Sequence, residues 1–90
     1  MLQSDSIVLT ATGAAAARRV YVTGVTLVAD STGANVTIDD STAGGGTEKL
    51  RLSCLNGETV IKTFESPLLC GTGCYATLSG TGASVTVDFI

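Results

Sequence analysis

Apolar and polar residues alternate along most of the chain, and glycine-bearing turns cut the alternation into short segments. A period of two places the apolar side chains on one face of a strand, whereas a helix would need them three and four residues apart. Seven strands are expected on this basis. The first, residues 6–12, contains the run Ile7, Val8, Leu9 and closes at Thr12-Gly13. The second, residues 18–29, carries Val20 and Val22 on one face and then Val25, Leu27 and Ala29, so the apolar phase slips by one residue across Thr23-Gly24. A slip of one residue turns every later side chain to the wrong face unless an extra residue is accommodated, so Gly24 marks a bulge or bend. Such a bend would let the strand pass from one packed layer toward another.

Asp30-Ser31-Thr32-Gly33 has the residue chemistry of a turn. Val36 and Ile38 alternate with Thr37 and Asp39 in a third strand, and residues 39–46, with Gly44-Gly45-Gly46, read as a flexible loop. In the fourth strand Leu50, Leu52 and Cys54 face one way and Lys49, Arg51 and Ser53 the other. Asn56-Gly57 is a two-residue hairpin signal. The fifth strand, residues 58–65, sets Val60 and Phe64 on one face with Lys62, and Ile61 on the other with Thr59 and Thr63, which predicts partial cover on both faces. Pro67, which has no N–H to give a ladder, is expected to end it. The sixth strand covers residues 73–79, and Gly80-Thr81-Gly82 turns the chain into the seventh, where Val85, Val87 and Phe89 alternate with Thr86 and Asp88. Ile90 follows with no polar tail, which predicts a last strand that is paired or covered. The alanines of residues 14–17 favour helix but span barely one turn, so they read as a connection.

Composition strengthens the sheet reading. Thr, Val and Ile number 14, 9 and 4, so 27 of 90 residues are β-branched, the side chains that pack best on a pleated surface. Glycines at the 8–12-residue spacing of a sandwich or barrel complete the pattern. The expected fold is all-β: a single small antiparallel β-sandwich or jelly-roll-like barrel of seven to eight strands over residues 1–90. Residues 1–17 form a candidate N-terminal arm, hinged at Gly13 and the alanine run.

Charged residues at 14%, hydrophobic residues at 44% and a mean hydropathy of +0.43 are the reverse of the disordered signature. No apolar run approaches the roughly 20 residues of a membrane helix, and residues 1–10 lack the basic start and apolar stretch of a signal peptide. Neither a membrane nor that export route is expected. Five Lys and Arg against eight Asp and Glu give a net charge of −3, which disfavours a phosphate-binding surface, so nucleic acid is not an expected partner. A fold this small buries only about 60% of the surface its unfolded chain exposes. Burial of apolar surface against copies of itself or another protein would add stability.

Candidate chemistry is sparse. Cys70-Gly71-Thr72-Gly73-Cys74 has a spacing that resembles a metal or redox motif, but without histidine only Cys54 and carboxylates could complete a zinc set. A disulfide across the turn is sterically conceivable, although three cysteines and no secretory signal favour reduced thiols. The simplest reading makes Cys54 and Cys74 small core residues and puts Cys70 near a turn. Asp39 and Asp40 are adjacent in a strand and point to opposite faces, a poor cation site and a plausible solvated strand end. Without histidine there is no Ser-His-Asp or Cys-His nucleophile, and no motif brings Lys49 or Lys62 to a serine. Gly44-Gly45-Gly46-Thr47 leads into a strand and lacks the helix N-terminus of a phosphate loop. Arg18-Arg19 and Lys49 with Arg51 read as solvated faces or ion-pair partners. No catalytic, cofactor-binding or metal-ligating residue is expected. An adhesive glycan-binding module would need aromatic platforms, and the chain offers only Tyr21, Phe64, Tyr75 and Phe89, with the two phenylalanines assigned to the core.

The pattern Val20-x-Val22-x-Gly24-Val25-x-Leu27, Val36-x-Ile38-Asp39-Asp40, Gly45-Gly46-Thr47, Leu50-x-Leu52, Phe64-x-x-Pro67-Leu68, Gly73 with Leu78-Ser79-Gly80, and Val85-x-Val87 resembles small β-sandwich structural proteins of tailed bacteriophages, of the head decoration or cement type. The resemblance covers nearly all of the chain after Arg18. It implies a non-enzymatic virion component, assembled in the host cytoplasm, whose partners are the major capsid protein or other virion proteins. It also implies a homo-oligomer, a trimer above all. A tail, baseplate or fibre-attachment component is the alternative. The cysteines lie outside the pattern.

Overall fold

The computed structural model describes residues 5–90. Its strands are β1 (Asp5–Leu9), β2 (Gly13–Ala16), β3 (Val20–Val28), β4 (Ala34–Asp40), β5 (Thr47–Cys54), β6 (Thr59–Cys70), β7 (Cys74–Ser79) and β8 (Ser84–Phe89). A first sheet has the order β1-β8-β3-β6 and a second the order β2-β7-β4-β5. β1 pairs with β8, β2 with β7, β3 with β6 and β4 with β5, all antiparallel. These are the rungs of one long hairpin closed at the β4–β5 turn. The hairpin is folded over so that β3 also meets β8 and β4 meets β7. The result is the eight-stranded, two-sheet jelly roll, and every connection except β4–β5 passes from one sheet to the other.

The core lies between the sheets. Val20, Val22, Val25 and Leu27 of β3 and Val85, Val87 and Phe89 of β8 face Val36 and Ile38 of β4 and Cys74 and Ala76 of β7, all buried. No polar or charged residue is buried among the described residues, so the interior carries no desolvated polar group that would need a partner. Small β-branched side chains suit the thin slab, whose shortest extent is 17 Å.

The phase slip in β3 is a bulge. Val22 stands opposite Phe89 and Gly24 opposite Asp88, so Thr23 is the extra residue that returns Val25 and Leu27 to the core face. The strand does not pass into the other layer: β3 keeps its partners β6 and β8 in the first sheet on both sides of the bulge. On the β6 side the same interruption is larger, because Val22 pairs with Leu68 and Gly24 with Thr63. Pro67 sits in that excursion. On an edge strand its missing N–H costs no ladder bond, so β6 continues to Cys70 where the sequence suggests a stop at Pro67.

Two further expectations are corrected. Residues 13–16 form β2, because extended alanines complete the edge of the second sheet against Cys74–Ala76, and pairing outweighs a helix tendency that one turn cannot sustain. Asn56-Gly57 is not a hairpin: β5 and β6 lie in different sheets. Glu58 N–H donates to Leu55 O at 3.1 Å to close the turn, and Gly57 alone of its two central residues has positive φ, at 75°. A two-residue hairpin of the type Asn-Gly favours needs positive φ at both. Gly57 N–H to Asp30 O (2.8 Å) and Ala29 N–H to Glu58 O (2.9 Å) instead tie this corner to the β3–β4 corner. Within the expected N-terminal arm, residues 1–4 lie outside the described residues, while β1 and β2 are edge strands paired with β8 and β7 of the same chain.

Candidate functional site

The outer faces of the two sheets differ in chemistry. On β4 and β5 of the second sheet the outward side chains are polar. Ser53 Oγ donates to Asn35 Oδ1 at 2.6 Å, and Arg51 Nη2 bonds Glu48 Oε1 at 2.8 Å. Rows such as Arg51–Thr37–Thr77 contain no large apolar residue. On the first sheet, Val8 of β1, Thr86 of β8, Thr26 of β3 and Ile61 of β6 are successive cross-strand partners and make one row across the whole sheet. Val8 is 61% exposed and Ile61 67%. Val28 adjoins the row on the same face, while Tyr21 and Leu69, also exposed there, pair with each other beyond the polar row Ser6–Asp88–Gly24–Thr63; of the exposed large apolar side chains among the described residues only Leu55 lies elsewhere.

The sequence signal for this strip is the ambiguity of the fifth strand, where Ile61 falls out of phase with Val60 and Phe64. Val60 and Phe64 turn inward, half-buried against the core, and Ile61 turns out. What the sequence does not reveal is that Val8, Thr86, Thr26 and Ile61 share a row, because no two of these strands are joined by a hairpin.

A second cluster lies at the end of the sandwich where β6 passes to β7. Cys70 and Cys74 are both fully buried, on either side of the Gly71-Thr72-Gly73 turn, and each shifts the titration of the other. The neighbouring Cys74 thiol holds the Cys70 thiol below its ordinary pKa, and the neighbouring Cys70 thiol, with burial, pushes Cys74 up. Asp40 Oδ1 accepts from Thr72 N–H at 2.7 Å and from Gly73 N–H at 3.4 Å. The Thr72 bond, joined by those of Gly71 and Gly73 and by the Lys49 charge, holds the Asp40 carboxyl below its usual range. Asp40 is therefore a turn cap rather than a merely solvated strand end, while Asp39 sits beside Tyr75 on the outer face. Sequence reading misses this role because the partners are more than thirty positions away. Cys54 is buried and lies apart, at the far end of β5. All three cysteines are free thiols, and no group of three or more potential metal ligands occurs among the described residues.

The basic residues have local partners. Arg18 lies 3.7 Å from the Asp5 carboxylate and over the Phe89 ring. Arg19 donates to the Tyr21 hydroxyl at 3.0 Å and stacks near its ring. Lys62 approaches the Phe64 ring. Tyr21 is thus shared with Arg19, and Tyr75 is half-buried against Gly44. No cavity is present among the described residues. No known protein family matches the chain, and neither a curated protein nor a solved structure is significantly similar to it.

Proposed function

We propose that the protein is a non-enzymatic structural component of a tailed-phage virion that decorates or cements the capsid by protein–protein contact. The row of β-branched side chains from Val8 to Ile61 on the outer face of the first sheet carries this reading. Single exposed apolar residues are ordinary on any surface, but here Val8 and Ile61 end one row across all four strands, with the methyl-bearing Thr86 and Thr26 between them and Val28 beside it. With strands about 4.8 Å apart the strip spans about 15 Å, wide enough to seat against a flat partner. Thr86 and Thr26 at its centre and Val8 and Ile61 at its edges are β-branched, so little side-chain entropy is lost when it is covered.

The partner is the major capsid protein of the expanded head, with trimer formation on the head as the favoured oligomer. The jelly-roll topology supports this reading, since it recurs in viral capsid domains, but lectin and cupin domains share it, so the weight rests on the surface and on the sequence resemblance. The acidic balance of the chain suits a position outside the shell, away from packaged DNA.

The test adds purified protein to mature, expanded capsids that lack it, and follows sedimentation and capsid heat stability. Saturable binding with a raised capsid melting temperature is expected, and Ile61→Lys and Val8→Lys are expected to abolish both while leaving the free protein's own melting unchanged. Absence of binding with unaltered capsid stability overturns the proposal. Binding confined to tails would transfer the protein to a tail, baseplate or fibre-attachment position.

A further inference from the structure

Cys70 ends the outermost strand of the first sheet, Cys74 begins β7 of the second, and only the Gly71-Thr72-Gly73 turn separates them. Both thiols are buried, four positions apart across the turn, and close enough that each shifts the titration of the other. Two thiols set on either side of a three-residue turn need little movement to bond. The turn above them is exposed at Gly71 and Thr72 and is fastened by the Asp40 carboxylate at Thr72 and Gly73. Gly73 is fixed in its place, because a Cβ there would lie 2.9 Å from the carbonyl oxygens of Ala16 and Ser41. A Cβ at Gly71 would meet only the Asp40 carboxylate, at 3.7 Å. The turn is tightly packed on its β7 side, at Gly73, and loosely packed on its β6 side, at Gly71, next to Cys70.

We infer that Cys70 and Cys74 form a redox-convertible dithiol, closed to an intramolecular disulfide by a small-molecule disulfide of the glutathione type, with Asp40 as the latch that controls access. Cys70 attacks as thiolate, which the neighbouring Cys74 thiol favours. It displaces one thiolate from the oxidant and forms a mixed disulfide. Cys74 then gives up its proton and attacks the Cys70 sulfur, releasing the second small thiol. The two thiols lose two hydrogens and two electrons, and the oxidant is reduced to two thiols. The closed bond links the last residue of β6 to the first of β7 and so clips the two sheets together at that end. Cys54, at the far end of β5, takes no part.

The test exposes the folded protein to graded mixtures of oxidised and reduced glutathione, quenches with acid, alkylates the remaining thiols and measures intact mass. The expected product carries one alkyl group in place of three, has lost two hydrogens, bears no glutathione, runs as a single chain without reductant, and maps the bond to Cys70 and Cys74. Cys54→Ala is expected to oxidise in the same way. Asp40→Asn is expected to react several-fold faster, because the turn loses its charged latch and Cys70 loses a neighbouring negative charge that opposes its thiolate. Cys70→Ser is expected to leave Cys74 unbonded. Three intact thiols across the whole range, a bond involving Cys54, a stable glutathione adduct or a chain-to-chain disulfide would each overturn the inference.

Discussion

Thr72 donates its backbone N–H to the Asp40 carboxylate at 2.7 Å, joining the last residue of β4 to the β6–β7 turn over 32 positions of sequence. The bond fastens the turn that joins the two sheets at this end. It also makes the carboxylate form of Asp40 more favourable in the folded chain than in the unfolded one.

A pH dependence follows from that shift. The folded carboxyl titrates lower than the unfolded one, so its contribution is fully present above the ordinary aspartate pKa of about 4 and is lost as pH falls through the folded value. Asp40→Asn is expected to melt below the native protein at neutral pH, with the gap narrowing on acidification below about pH 4. Thermal melts of both proteins across that range measure it, and a constant gap would show that the charge is not the stabilising feature.

The glycines of two turns should respond differently to alanine. Gly80 has φ of 121°, and a Cβ there would lie 2.6 Å from Gly33 O, so Gly80→Ala meets both backbone strain and a clash with main chain that cannot rotate away. A loss of about 3 kcal/mol is expected, near the upper end for strained backbone. Gly45, with φ of 80° and nothing within 4 Å of a Cβ, should lose only about 1 kcal/mol on the same change. Urea melts of the pair decide this.

Leu27 is fully buried at the centre of β3. Leu27→Ala is expected to destabilise the fold by about 2–5 kcal/mol, through lost burial and the cavity left behind. Leu55→Ala, at a side chain 69% exposed, should change stability by less than about 0.5 kcal/mol. Chemical denaturation of both variants checks the contrast.

Thr12 stands in for a strand residue at the β1–β2 corner. Its Oγ1 donates to Leu78 O at 3.1 Å and accepts from Leu78 N–H at 3.0 Å, extending the β2–β7 ladder by one side-chain rung. Thr12→Val keeps the shape and loses both bonds, with an expected cost of about 1 kcal/mol. Hydrogen exchange at the Leu78 amide should quicken in the same variant, and unchanged protection there would count against the pairing.

The alternation of apolar residues determined the all-β class, the inward faces of β3, β5 and β8, and the bulge beside Gly24, because period and phase are local properties of the chain. Tertiary structure decided what local patterns do not encode. Asn56-Gly57 signals a tight turn in sequence, yet here it turns the chain from one sheet into the other, since each of β5 and β6 completes the edge of a different sheet. The alanines of β2 have no alternation to announce a strand and become one only because β7 offers an open edge. Pro67 interrupts β6 without ending it, because β6 lies at a sheet edge and the bulge absorbs the missing donor. The two surface features that matter most here, the row from Val8 to Ile61 and the Asp40 latch above Cys70 and Cys74, join residues far apart in sequence. Only the meeting of β3 with β8, when the hairpin folds over, joins the β1–β8 and β3–β6 rungs into the first, and only the meeting of β4 with β7 brings Asp40 over the turn.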